Sequence, residues 1–84
     1  FSPSEPKLEL LVVDDDLPVL KACCEVASGM GFAVHAANTS QQAREVITLY
    51  PIDVVLMDLR MPGGGLSLLE EVRRARPRTA VVIM

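Results

Sequence analysis

The stretch Leu8-Glu9-Leu10-Leu11-Val12-Val13-Asp14-Asp15-Asp16 decides the fold. It is apolar almost throughout and then stops on three successive acids, the pattern of a strand buried on both faces whose end reaches solvent. Ile52 to Met57 reads as another such strand, and it too ends in acid, at Asp58. Between and after these two runs the period changes from strand-like to helical. Asp16 is placed to cap a helix with Pro18 in its first turn, and Leu20, Cys24, Ala27 and Met30 recur at helical spacing until Gly29 and Gly31 end it. Phe32 to Ala36 is a short second strand. Thr39 followed by Gln42 is a capping-box signature for a helix carrying Ala43, Val46, Ile47 and Tyr50, closed by Pro51. A third helix is expected from Leu66 to Arg76 with Leu68, Leu69 and Val72 inward, stopped by Pro77, and Thr79 to Met84 is a last apolar strand. Strands alternating with helices at this spacing pair in parallel through right-handed crossovers, so the class is α/β with helices on both faces of one sheet.

Composition narrows the rest. The chain has 84 residues, 50% of them hydrophobic, with 8 Lys plus Arg against 11 Asp plus Glu and a formal net charge of -3. This length allows one small domain, and its hydrophobic content excludes disorder. With two Phe and one Tyr, the core must be aliphatic. The longest unbroken apolar runs, Leu10 to Val13, Val54 to Met57 and Ala80 to Met84, are four or five residues, far short of the roughly 20 that span a membrane. No signal-peptide pattern opens the chain, so the expected location is cytoplasmic. Residues 1–7, with Pro3 and Pro6, read as linker or cloning residue, and 8–84 as the domain. The two cysteines, Cys23 and Cys24, are neighbours on a helix and point about 100° apart. That suits neither an ordinary disulfide nor a metal site, and a reducing compartment follows.

If the first and third strands are neighbours, Asp14, Asp15, Asp16 and Asp58 meet at one rim, where open α/β sheets bind ligands. Like charges so gathered are costly unless a cation neutralises them. Several hard oxygen donors favour a hydrated Mg²⁺.

These residues resemble a known family. Leu11-Val12-Val13-Asp14-Asp15-Asp16 with Val55-Leu56-Met57-Asp58-Leu59-Arg60-Met61-Pro62-Gly63 is similar to the receiver domain of bacterial two-component response regulators, the chemotaxis-regulator type. The resemblance runs from Leu8 to Met84. It implies a flavodoxin-like doubly wound parallel sheet of order 2-1-3-4-5. It also implies a phosphoacceptor, Asp58, charged from a sensor histidine kinase. Asp15, Asp58 and the backbone carbonyl of Arg60 would hold Mg²⁺, with Asp14 acting through a bound water. Such a module modifies itself and is not a turnover enzyme. It serves signal transduction and transcription regulation, and any nucleic-acid contact would belong to an output domain.

Two departures stand out. The loop Met61-Pro62-Gly63-Gly64-Gly65-Leu66 is one residue shorter than the family pattern and lacks the Asp or Asn before its last glycine. Three glycines could suggest a phosphate cradle, but no Lys-Ser/Thr or Gly-x-Gly-x-x-Gly spacing accompanies them. The sequence given also stops at Met84, before the Ser or Thr and the Lys that resemblance places on the fourth and fifth strands. The expectation is therefore a receiver incomplete at its C-terminus, lacking its last helix-strand-helix segment. A bare fourth strand and an uncovered sheet face would then favour self-association.

Arg73, Arg74, Arg76 and Arg78 read as a solvated face that complements the dipole of the third helix. His35 reads as a surface or packing residue away from the acids. Two other functions compete with the phosphoacceptor. One is a degenerate receiver that only binds proteins. The other is a haloacid-dehalogenase-like phosphatase with Asp14 as nucleophile and Asp16 as acid/base, in which Pro18 stands where Thr or Val is preferred.

Overall fold

The computed structural model describes residues 7–84, so the linker reading of the first six residues lies outside the described residues. The elements run β1 (Glu9–Val13), α1 (Leu17–Gly29), β2 (Ala33–Ala37), α2 (Ser40–Leu49), β3 (Val54–Met57), α3 (Gly65–Ala75) and β4 (Ala80–Ile83). All strand pairs are parallel and the sheet order is β2-β1-β3-β4. The flavodoxin-like order expected for four strands is met.

Alternation along each strand sends successive side chains to opposite faces. Leu11, Val13, Val55 and Met57 pack with Ala43, Ile47, Leu68 and Val72, which places α2 and α3 on one face. Leu10 and Val12 pack with Leu20 and Ala27 of α1 on the other. The centre is therefore β1, where Leu11, Val12 and Val13 have no exposed surface. The starts of α1 and α2 follow their capping residues. Asp16 caps α1, and Thr39 Oγ1 accepts the Gln42 amide at 3.1 Å while Gln42 Oε1 reaches back to the Asn38 amide at 2.9 Å.

Several boundaries move, and at the second and third strands the reason is a hydrogen bond. The first strand begins at Glu9, leaving Leu8 largely exposed. The second is Ala33–Ala37 rather than Phe32–Ala36. The Phe32 amide is spent on the Ala27 carbonyl at the helix exit, and the Asp14 amide draws Ala37 into the ladder at 3.1 Å. The third strand starts at Val54 because the Ile52 amide turns back to the Tyr50 carbonyl; Ile52 is still buried. Helix α3 starts a residue early at Gly65 and ends at Ala75, and β4 is limited to Ala80–Ile83. Met30 is not on the buried stripe. It is the C-cap of α1 and is 71% exposed.

Three side chains have structural partners that the sequence pattern does not show. His35 Nε2 lies 2.9 Å from Glu9 Oε1, and its ring stacks on Tyr50 with centroids 4.4 Å apart. Arg73 and Arg74 do occupy the last turn of α3, but the Arg76 guanidinium donates to the Ile47 carbonyl at 2.9 Å and so closes the C-terminal turn of α2. Arg44 Nε donates to Glu71 Oε2 at 2.8 Å, joining α2 to α3.

Leu11→Ala should cost about 2–5 kcal/mol in urea unfolding, a large share of what so small a domain has. Leu49→Ala, 72% exposed, should stay within about 0.5 kcal/mol. The hydrogen bond from Arg44, aided by attraction to Arg44 and Arg74, lowers the Glu71 pKa against the opposing effect of desolvation. Its stabilisation is thus present above the unfolded-state pKa and lost as pH falls through the folded one. The urea midpoint of Glu71→Gln should lie below that of the parent at neutral pH, and the gap should close in acid.

Candidate metal and phosphoacceptor site

Parallel pairing of β1 and β3, with Val13 opposite Met57, brings both strand ends to one edge of the sheet. The ladder continues one step past each strand. The Asp14 amide donates to the Ala37 carbonyl and the Asp58 amide to the Val13 carbonyl, both at 3.1 Å. These ladder bonds fix the backbone of each acid independently of its side chain.

Each side chain then turns the chain that follows it. Asp14 is 4% exposed, and its Oδ1 accepts the Asp16 amide at 2.9 Å. Asp58 Oδ1 accepts the Arg60 amide at 2.9 Å. An Asp accepting from the amide two residues on is an Asx-turn, which lets a strand leave the sheet without orphaning its next donor. The Arg60 Nε also approaches Asp58 Oδ1, at 3.5 Å, from a side chain that is 90% exposed. Asp16 goes elsewhere: its carboxylate takes the Val19 amide at 3.4 Å as the cap of α1.

The result is a group of three. Asp14, Asp15 and Asp58 each offer a carboxylate oxygen, all within 4.8 Å of one another, graded from buried through half-buried Asp58 to exposed Asp15. Asp16 is not in this group, because its carboxylate is engaged at the start of α1. Among the described residues, Arg60 is the one cation in ion-pair contact with the three. The donor set suits a hard divalent cation. An octahedron with metal–oxygen distances of about 2.1 Å puts neighbouring oxygens roughly 3 Å apart and opposite ones roughly 4.2 Å apart. Small side-chain rotations, or a bound water between a carboxylate and the ion, span the difference.

The sequence matches the response regulator receiver domain family over residues 10–84. This chain belongs to that family. The receiver is 37% identical over 76 residues to the regulatory protein AtoC of Escherichia coli K12, covering 89% of this chain and 16% of that protein. It is 32% identical to the photosynthetic apparatus regulatory protein RegA of Cereibacter sphaeroides, covering 89% of this chain and 41% of that protein. The chain therefore spans less than half of either relative. Among solved structures, a CheY-like receiver protein from Methanospirillum hungatei superposes with a TM-score of 0.89 at 25% identity, covering 93% of this chain and 63% of that one. A receiver protein from Pseudomonas putida gives 0.87 at 25% identity, covering 95% and 69%. No helix among the described residues is long and apolar enough to cross a membrane.

The acids of the receiver rim were readable from sequence. The Asx-turns were not singled out, although an Asp two residues before the turned amide is their signature. Removing one negative charge should relieve repulsion within the cluster. Asp14→Asn keeps an acceptor oxygen for the Asp16 amide, so in chelator its unfolding free energy in urea should rise, by about 1 kcal/mol. In excess Mg²⁺ the order should reverse, because an ion held by these acids would stabilise the parent more than the variant.

Proposed function

We propose that this receiver is a Mg²⁺-dependent phosphoacceptor that takes a phosphoryl group on Asp58 from the phosphohistidine of a sensor histidine kinase. The observation that carries the reading is the convergence of Asp14, Asp15 and half-buried Asp58 at the ends of two adjacent strands. Asp15, Asp58 and the backbone carbonyl of Arg60 would hold the ion, with Asp14 contributing through water. Bound there, Mg²⁺ would offset the charge of phosphoryl oxygens entering an acidic rim.

The chain's own residues do the positioning. The Arg60 amide engages Asp58 Oδ1, which leaves Oδ2 as the attacking atom. A bond forms from that oxygen to phosphorus as the phosphorus–nitrogen bond of the donor breaks, and the imidazole nitrogen keeps the electron pair. The product is an acyl phosphate on Asp58. Little covalent assistance is needed in such a transfer, because alignment and charge stabilisation carry most of the rate. The reaction is one self-modification and not the turnover of a substrate. The Arg60 guanidinium, exposed beside the acceptor, supplies a positive charge to an approaching anion.

Incubation with acetyl phosphate and Mg²⁺ followed by intact mass measurement tests this reading. The parent should gain one acid-labile phosphoryl group, Asp58→Asn should gain none, and chelator should abolish the gain. Label that persists in Asp58→Asn but vanishes in Asp14→Asn would move the nucleophile to Asp14. No label in any form would leave a module that only binds proteins.

A further inference from the structure

We propose that Gly65 is a positioning residue for the cation site, acting through the backbone of Leu59. The inference rests on the reading of Asp58 as a cation-bound phosphoacceptor and names a residue outside the acids that sets its geometry.

The three consecutive glycines do different things. Gly63 and Gly64 have φ of 89° and 100°, the left-handed region that favours glycine for conformational reasons. Around Gly63 a Cβ would meet nothing within 4 Å, and at Gly64 it would meet only the Ser67 side chain at 3.4 Å. Gly65 is not among the residues of positive φ, so conformation does not explain it. Space does. A Cβ on Gly65 would lie 2.7 Å from the Leu59 carbonyl oxygen, 2.9 Å from its Cα and 3.0 Å from its carbonyl carbon. All three are backbone atoms, so no rotamer change can make room.

Leu59 is the single residue between Asp58 and Arg60, whose amide is hydrogen-bonded to Asp58 Oδ1. Its side chain and that of buried Met61 pack against the core shared by α2 and α3. The turn is thus held from below by these two side chains and from the side by the first residue of α3. Gly65 is the contact that lets the helix press directly on the turn. Adding a methyl group must part the start of α3 from the backbone of Leu59, and the shift of Leu59 would carry the Asp58 carboxylate and the Arg60 carbonyl with it. Supporting contacts around a metal site commonly change affinity by about 10- to 100-fold when altered.

The test compares the parent, Gly65→Ala and Gly29→Ala by Mg²⁺ titration followed on backbone amide NMR signals, with thermal unfolding in parallel. Gly29 ends α1 and a Cβ there meets nothing within 4 Å. Gly65→Ala should shift the Asp58, Leu59 and Arg60 amides without Mg²⁺ and weaken Mg²⁺ binding about tenfold while still unfolding cooperatively. Gly29→Ala should bind as the parent does. Should Gly65→Ala fail to fold, the parent alone decides: its Gly65 amide should move with the same midpoint as those of Asp58 and Arg60. A folded Gly65→Ala with parental affinity, or a parental Gly65 amide indifferent to Mg²⁺, overturns the proposal. A parent with no response at Asp14, Asp15 or Asp58 overturns the cation reading itself, and is seen before any variant is compared.

Discussion

Register between β1 and β3 is the constraint on which everything else depends. Val13 must stand opposite Met57 for the Asp58 amide to reach the Val13 carbonyl and for the acids of both strands to share one rim. A slip of one residue would turn Leu11, Val13, Val55 and Met57 away from the face they share with α2 and α3. Burial on both sides leaves the strands no polar face to tolerate such a slip. The same packing that stabilises the sheet therefore fixes the site, and the acids need supply none of the folding energy.

How much of this was legible in the sequence follows from what each signal reports. Apolar runs report burial, so β1, β3 and the inward residues Leu68 and Val72 could be read directly, as could the caps Asp16 and Thr39. Burial is not pairing, however. Ile52 is buried yet outside the ladder, and Phe32 spends its amide on the end of α1. The partner of His35 could not be read because Glu9 faces Ala33 in the ladder and reaches His35 diagonally, which needs the register to be known. Arg76 likewise finds a carbonyl on a different helix.

The rim shows the same division. Acid at two strand ends is a sequence pattern, and the order of the sheet makes it a cluster. What the pattern does not carry is the path of the chain between Asp58 and Gly65. A run of three glycines suggests freedom, whereas the last of them is where two stretches of backbone touch. The loop is therefore held at both ends, by the Asx-turn of Asp58 and by the start of α3.

Magnitudes explain why such a site can exist before any ion arrives. Each fully buried Val, Leu or Met side chain contributes about 1.5–3 kcal/mol, and β1 alone supplies Leu11, Val12 and Val13 beside Met57 and Val55. Two unit charges 4 Å apart repel by about 1 kcal/mol in water, and more as water is excluded. Packing beneath the rim outweighs repulsion at the rim, so the sheet can hold Asp14, Asp15 and Asp58 together at a modest cost. That residual cost is useful. It is the part of the energy that a divalent cation held by these acids would change without disturbing the core, and it lies next to the helix whose first residue touches the Asp58–Arg60 turn.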